Sequence, residues 1–183
     1  WLAFVGGTNL WVRNMQTARV RHLDVSKSDR SLFWSPDSRR IAFSADGDLH
    51  SVDILTETRK ELGRGTRARG GSWNQEGRIL LSGIDELATG GGKNVERTEN
   101  GPGESHYWPW FLPDGKHFVY TARSADPSRA GIFLASMEQT GNGVQLFPTA
   151  SKAEVVPASG GHPRYLLYVR DSVLLAHALD PSS

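Results

Sequence analysis

FWSPDSRRIAFS, residues 33–44, runs from a large aromatic through a Ser-Pro-Asp-Ser-Arg corner into an apolar strand. The same frame returns in SWNQEGRILLS (72–82) and in PWFLPDGKHFVYT (109–121). Pro36 presets φ for a turn, Asp37 can accept a hydrogen bond from the backbone ahead of it, and Gly115 tolerates a positive φ. The motif therefore predicts a hairpin corner.

A ruler follows from the strand after each corner. Phe43, Leu81 and Tyr120 close apolar runs 38 and 39 residues apart, Phe4 in WLAFVGG lies 39 before Phe43, and Tyr168 in YLLYVRD lies 48 after Tyr120. SADPSRAG (124–131) and GHPR (161–164) read as loop insertions that lengthen the last interval. A period just under forty, with several short strands per copy and no amphipathic helix, marks a propeller blade.

In the second copy SLFWS, RIAFS, LHSVDI and TRKEL read as strands a to d, with Asp46-Gly47 as the tight turn between b and c. The expected fold is all-β: a β-propeller segment of about five blade repeats with antiparallel four-stranded blades, at approximately 1–26, 27–65, 66–102, 103–150 and 151–183. The third repeat departs from the pattern, with Gln75-Glu76-Gly77 at its corner and no clear strand d. Trp34, Trp73 and Phe111 occupy equivalent positions before the corners and are expected to be buried between adjacent blades.

The three inner copies are full and the two end copies partial, since the chain starts at strand b of the first and stops after strand c of the fifth. Six end strands do not make one four-stranded blade, so an incomplete ring is expected. Its open edges and uncovered faces would favour self-association.

With 38% hydrophobic and 22% charged residues the chain can bury a core, and no apolar run approaches the ~20 residues of a membrane helix. No membrane contact is expected from this segment. No signal peptide is visible, and Trp1 points to a segment cut from a longer chain. The absence of cysteine fits cytoplasm and periplasm alike. A net charge of +1 argues against nucleic-acid binding, and GRGTRARGG (63–71), with Arg64, Arg67 and Arg69, reads as an exposed loop.

Chemical motifs fail on spacing. GIDELATGGGKN (83–94) has Leu87 where a phosphate loop needs its first glycine and Asn94 where it needs Ser or Thr. GGSWN (70–74) has Asn74 at the last glycine of a nucleophile elbow, which excludes Ser72 as a nucleophile. The six histidines never stand at the i, i+4 spacing of a zinc helix, and Asp46, Asp48 and Asp53 lack the remaining ligands of a calcium loop. No catalytic residue, metal or cofactor is expected.

GESHYWPWFLPDG (103–115) gathers aromatics at the entrance to an innermost strand. Loops leading into inner strands surround one mouth of a propeller channel, where ligands and peptides dock. The expected contacts are His106, Tyr107, Trp108, Arg69 and Arg30.

The SPDSRRIAF and LPDGKHFVY corners resemble the TolB-like, PD-type propeller repeat of bacterial proteins. The ordered succession of WLAFVGGTNLWVR, FWSPDSRRIAFSADGDL, GGSWNQEGRILLS, HYWPWFLPDGKHFVYTA, GIFLAS and YLLYVRDSVLLAHALD is similar, over nearly all 183 residues, to the propeller region behind acidobacterial serine/threonine kinase domains. The resemblance implies a non-catalytic sensor or interaction module of a larger receptor-like kinase, placed outside the cytoplasmic membrane and binding a protein, peptide or small ligand. None of the kinase's own motifs is present. Two alternatives stand beside it: a propeller that gates a larger hydrolase, and a structural, self-assembling scaffold.

Overall fold

The computed structural model describes residues 1–7, 9–25, 28–64, 70–87, 94–156 and 164–179, and for residues 28–30 the backbone alone. Among these, five antiparallel sheets follow one another along the chain. The first holds β1 (Leu2–Gly6), β2 (Asn9–Arg13) and β3 (Val20–Leu23), and the second β4 (Ser28–Trp34), β5 (Arg40–Ala45), β6 (Asp48–Asp53) and β7 (Arg59–Gly63). The third holds β8 (Gly71–Trp73), β9 (Ile79–Leu81), β10 (Asp85–Glu86) and β11 (Val95–Glu96). The fourth holds β12 (Ser105–Phe111), β13 (His117–Arg123), β14 (Gly131–Ser136) and β15 (Val144–Phe147), and the fifth β16 (Ala153–Val156), β17 (Arg164–Arg170) and β18 (Val173–Leu179). The arrangement is a β-propeller, its sheets simple meanders packed face to face.

The corners form as the sequence predicts. Ser38, Gly77 and Gly115 hold the same turn position with φ of 55°, 84° and 69°. Each corner is closed by a backbone hydrogen bond across its base, Ser35 N to Arg40 O, Asn74 N to Arg78 O and Leu112 N to His117 O, at 2.8 to 3.0 Å, and by a second from Ser38 N, Gly77 N and Gly115 N back to Ser35 O, Asn74 O and Leu112 O. Asp37 Oδ1 accepts from Arg39 N, and Asp114 Oδ1 from Lys116 N and His117 N. Asp46 and Gly47 both have positive φ, the geometry that a two-residue hairpin needs to match the strand twist.

The expected absence of a fourth strand in the third repeat is corrected by β11, which pairs with β10 through Asp85↔Glu96 and Glu86↔Val95. Two exposed residues are all it offers, too short for a hydrophobic alternation to show. The 124–131 insertion holds a single 3-10 turn at Pro127–Arg129, capped by Asp126; Gly161 to Pro163 lie outside the described residues.

Side chains alternate along a strand, so each second strand feeds two interfaces at once. Phe43 packs with Leu10, Val12 and Leu23 of the preceding sheet, whereas Ala42 faces Ile79 and Leu81 of the following one. The rule repeats: Leu81, Tyr120 and Tyr168 look back, Leu80 and Val119 look forward. That is why these strands read as unbroken apolar runs, while the outermost β7 reads RKELG and is mostly exposed. Trp34, Trp73 and Phe111 do sit at equivalent places against the sheet before. Trp34 and Trp73, however, are half-buried rather than fully buried, because one edge of each borders the central channel.

Among the described residues the end sheets have three strands each, b-c-d in the first and a-b-c in the last. Their outward faces carry Leu2, Phe4 and Val20 on one, and Val156, Val169 and Leu174 on the other, all exposed. Burying apolar surface contributes about 25 cal/mol per Å², and self-association through these faces is the result expected from it. Light scattering of this chain is expected to show concentration-dependent oligomers that charged replacements at Phe4 and Leu174 disperse; a monodisperse monomer at all concentrations would contradict this.

Candidate functional site: the central channel

The first strand present in each sheet stands beside that of the next around one axis, β1 next to β4, β4 next to β8, β8 next to β12 and β12 next to β16. These strands line an open central channel of about 1050 Å³, just above the roughly 300 to 1,000 Å³ of small-ligand pockets. Every sheet contributes to the wall, from Leu2 and Ala3 in the first to Lys152 and Glu154 in the fifth.

The lining is mixed polar and apolar, and its aromatic rings are Phe33, Trp34, Trp73, Trp108, Trp110 and Phe111, interleaved with Pro36, Pro109 and Pro113. Polar groups gather at the corner end, where Asn74, Gln75, Glu76 and Asp114 meet. Asn74 ties two corners together, its Nδ2 donating to Gly115 O at 3.0 Å and its Oδ1 accepting from Arg78 N. Partial burial would raise the Asp114 carboxyl, but the backbone N–H groups of His117 and Lys116 and the His117 ring hold it below its ordinary value. Lys152 lies over the Trp110 ring at 5.9 Å and pairs with Glu154. Inside the wall, Ser72 Oγ accepts from Phe111 N at 3.0 Å, linking β8 to β12; this hydroxyl serves as a strand bridge.

The structure separates the expected contacts. Trp108 lines the channel and Tyr107 stands beside it, the rings 5.6 Å apart. His106 is fully enclosed: Nε2 donates to Glu104 Oε1 at 2.6 Å, Nδ1 lies 2.7 Å from Thr98 Oγ1, and Tyr120 covers the ring at 4.8 Å. Glu104 also binds Arg129 and accepts from Gly101 N, so the set locks the loop before β12. Its members are a hydroxyl, an imidazole and a carboxylate, but both Thr98 and His106 are sealed from solvent. Arg69 and the side chain of Arg30 lie outside the described residues; their chain neighbours Gly70 and Ser31 line the channel.

The corner residues Pro36, Gln75, Glu76 and Asp114, with Lys152 and Glu154, also line the channel, although in sequence they mark only turns and strand ends. Their signal was the repeat itself, because equivalent corners in successive blades must converge on one axis.

Among the described residues no group of three or more His, Asp or Glu is placed to hold a metal ion, and no helix is long and apolar enough to cross a membrane. No family model matches the chain, and no curated protein matches it. Solved structures do. A protein from Agrobacterium tumefaciens assigned as TolB is similar at 18% identity and a TM-score of 0.65, over 92% of this chain and 68% of that one. The propeller domain of the Trilobed protease from Pyrococcus furiosus, described as having an open velcro topology, is similar at 14% identity and a TM-score of 0.55, over 94% of this chain and 59% of its own. Prolyl endopeptidases match at 17% identity and a TM-score of 0.50, over 100% of this chain and 35% of theirs. Likeness at these identities speaks of the fold.

Proposed function

We propose that this chain is a non-catalytic propeller module that takes a peptide or protein segment into its central channel, as the sensing part of a larger bacterial receptor-like kinase. The observation that carries the reading is the channel itself, walled by all five sheets and faced with tryptophans. Aromatic rings give large contact area at low entropy cost, and such pockets bind through apolar burial with a few fixed polar groups. Tyr107 and Trp108 are its contact residues, Arg69 and Arg30 stand next in sequence to channel-lining positions, and His106 serves by fixing the loop that presents them. The kinase attachment rests on the sequence resemblance.

A second reading, a gate for a larger hydrolase, is favoured by the likeness to the protease propeller and the prolyl endopeptidases. Titration of the ¹⁵N-labelled chain with a library of acetylated hexapeptides separates the two. Peptides that shift the indole signals of Trp73 and Trp110 support a binding module. If no library member moves a channel indole at millimolar concentration, the module reading falls and the gate, which needs no affinity of its own, takes its place.

A further inference from the structure

The inner strand of the fourth sheet is not regular. Its pairing steps from Tyr107↔Thr121 to Trp110↔Val119, so three steps on β12 oppose two on β13, which is a β-bulge. Trp108 sits in it with φ of 52°. A left-handed conformation is an outlier for a bulky aromatic, and here it precedes Pro109, whose ring disfavours helical backbone in the residue before it. Strain of this kind, on the order of 1 to 3 kcal/mol, persists where surrounding structure imposes it, and it clusters at functional sites.

The bulge has a specific product. It turns Trp108 into the channel wall beside Tyr107, and the Arg123 guanidinium lies 4.9 Å from the Trp108 ring centroid and 5.3 Å from that of Tyr107. Arg123 ends β13 and is exposed. The other arginines in the site's surroundings are committed: Arg39 to Asp53, Arg78 and Arg97 to Glu86, Arg129 to Glu104. Lys152, the other cation seated on a channel tryptophan, is paired with Glu154. Among the described residues the Arg123 side chain has neither an ion pair nor a hydrogen bond. Two aromatic faces orient its planar fork while leaving its N–H donors open. That fork matches a carboxylate bidentately.

We propose that Tyr107, Trp108 and Arg123 form a subsite for a carboxylate carried by the peptide that enters the channel, the rings holding the adjoining apolar part. This rests on the channel reading above and adds its charge preference. The net charge of +1 makes an extended phosphate backbone a poor occupant, whereas one carboxylate needs one guanidinium.

The test uses three probes against the labelled chain: acetyl-Ala-Pro-Ala-Glu amide, its Gln counterpart, and acetyl-Ala-Pro-Ala-Ala with a free C-terminal carboxylate. The indole N–H of Trp108 is expected to respond to at least one carboxylate probe about tenfold more tightly than to the Gln amide, the smaller end of what a charge-assisted hydrogen bond supplies. Whichever of the two binds tells a side-chain carboxylate from a chain end. Arg123→Gln is expected to abolish the preference, and Arg123→Lys, which keeps charge but loses the fork, to retain only part of it. Both changes are on the surface, with the thermal midpoint as the control for folding. If neither carboxylate probe binds at Trp108 more tightly than the Gln amide, or if the preference survives Arg123→Gln, the subsite is overturned. If hexapeptides shift Trp73 and Trp110 without regard to charge, the channel reading stands and the subsite falls; if neither probes nor hexapeptides move any channel indole, both fall.

Discussion

Replacing Phe43 by alanine is expected to cost about 3 to 5 kcal/mol of folding stability, the range for truncating a large buried aromatic. Phe43 is 0% exposed, stacked on His50 at 5.7 Å, covered by the Arg59 guanidinium at 5.3 Å and packed on Leu10, Val12 and Leu23. Phe4 holds the equivalent position one repeat earlier and is 38% exposed, because among the described residues no sheet packs on that face of its own. The same change there is expected to cost about 1 kcal/mol or less. One residue type at one repeat position thus gives two outcomes, set only by whether a neighbouring blade is present. Urea denaturation at low protein concentration measures both. A Phe4→Ala loss as large as that of Phe43→Ala would mean that the outward face of the first sheet is covered in solution.

That contrast also shows what the sequence made legible. The blade frame was readable because the second strand of each blade must satisfy two interfaces with alternate residues, which forces apolar runs such as RIAFS and HFVYT at a fixed spacing. The corners were readable because their chemistry is local: a carboxylate two or three residues before the N–H it accepts from, and a position of positive φ. Less local features were hidden. Strand β11 is held by Arg97, whose guanidinium binds Glu86 and Met137 O, so its existence depends on partners 11 and 40 residues away. The role of His106 was likewise invisible: an aromatic-rich stretch shows that rings are present but not which are sealed behind Tyr120 and Glu104. The bulge at Trp108 did leave a trace. Pro109 inside a strand removes a ladder donor, and proline in a strand interior marks a bulge or an edge.

Glu104→Ala is expected to destabilise the protein by about 3 kcal/mol, since it breaks a buried ion-paired set at its centre. The Glu104 side chain is 4% exposed and is shared between His106 Nε2, the Arg129 guanidinium and Gly101 N. Its removal leaves the enclosed imidazole with Thr98 alone and frees the loop that positions Tyr107 and Trp108. Glu104→Gln keeps an acceptor but loses the charge, and is expected to fall between the two. The pH dependence separates charge from shape. Burial pushes the Glu104 carboxyl up, but the hydrogen bond from His106 and the Arg129 charge outweigh it, so the group sits below its ordinary value. A carboxyl lowered on folding contributes stability that is complete above its unfolded pKa and is lost as pH falls through the folded one. The stability gap between wild type and Glu104→Gln is therefore expected to be widest near neutral pH and to close in acid, with the wild type losing more. Urea denaturation of both proteins at pH 7 and at pH 3 reads this directly. A gap that stays constant between the two would show that the carboxylate acts through packing and not through its charge.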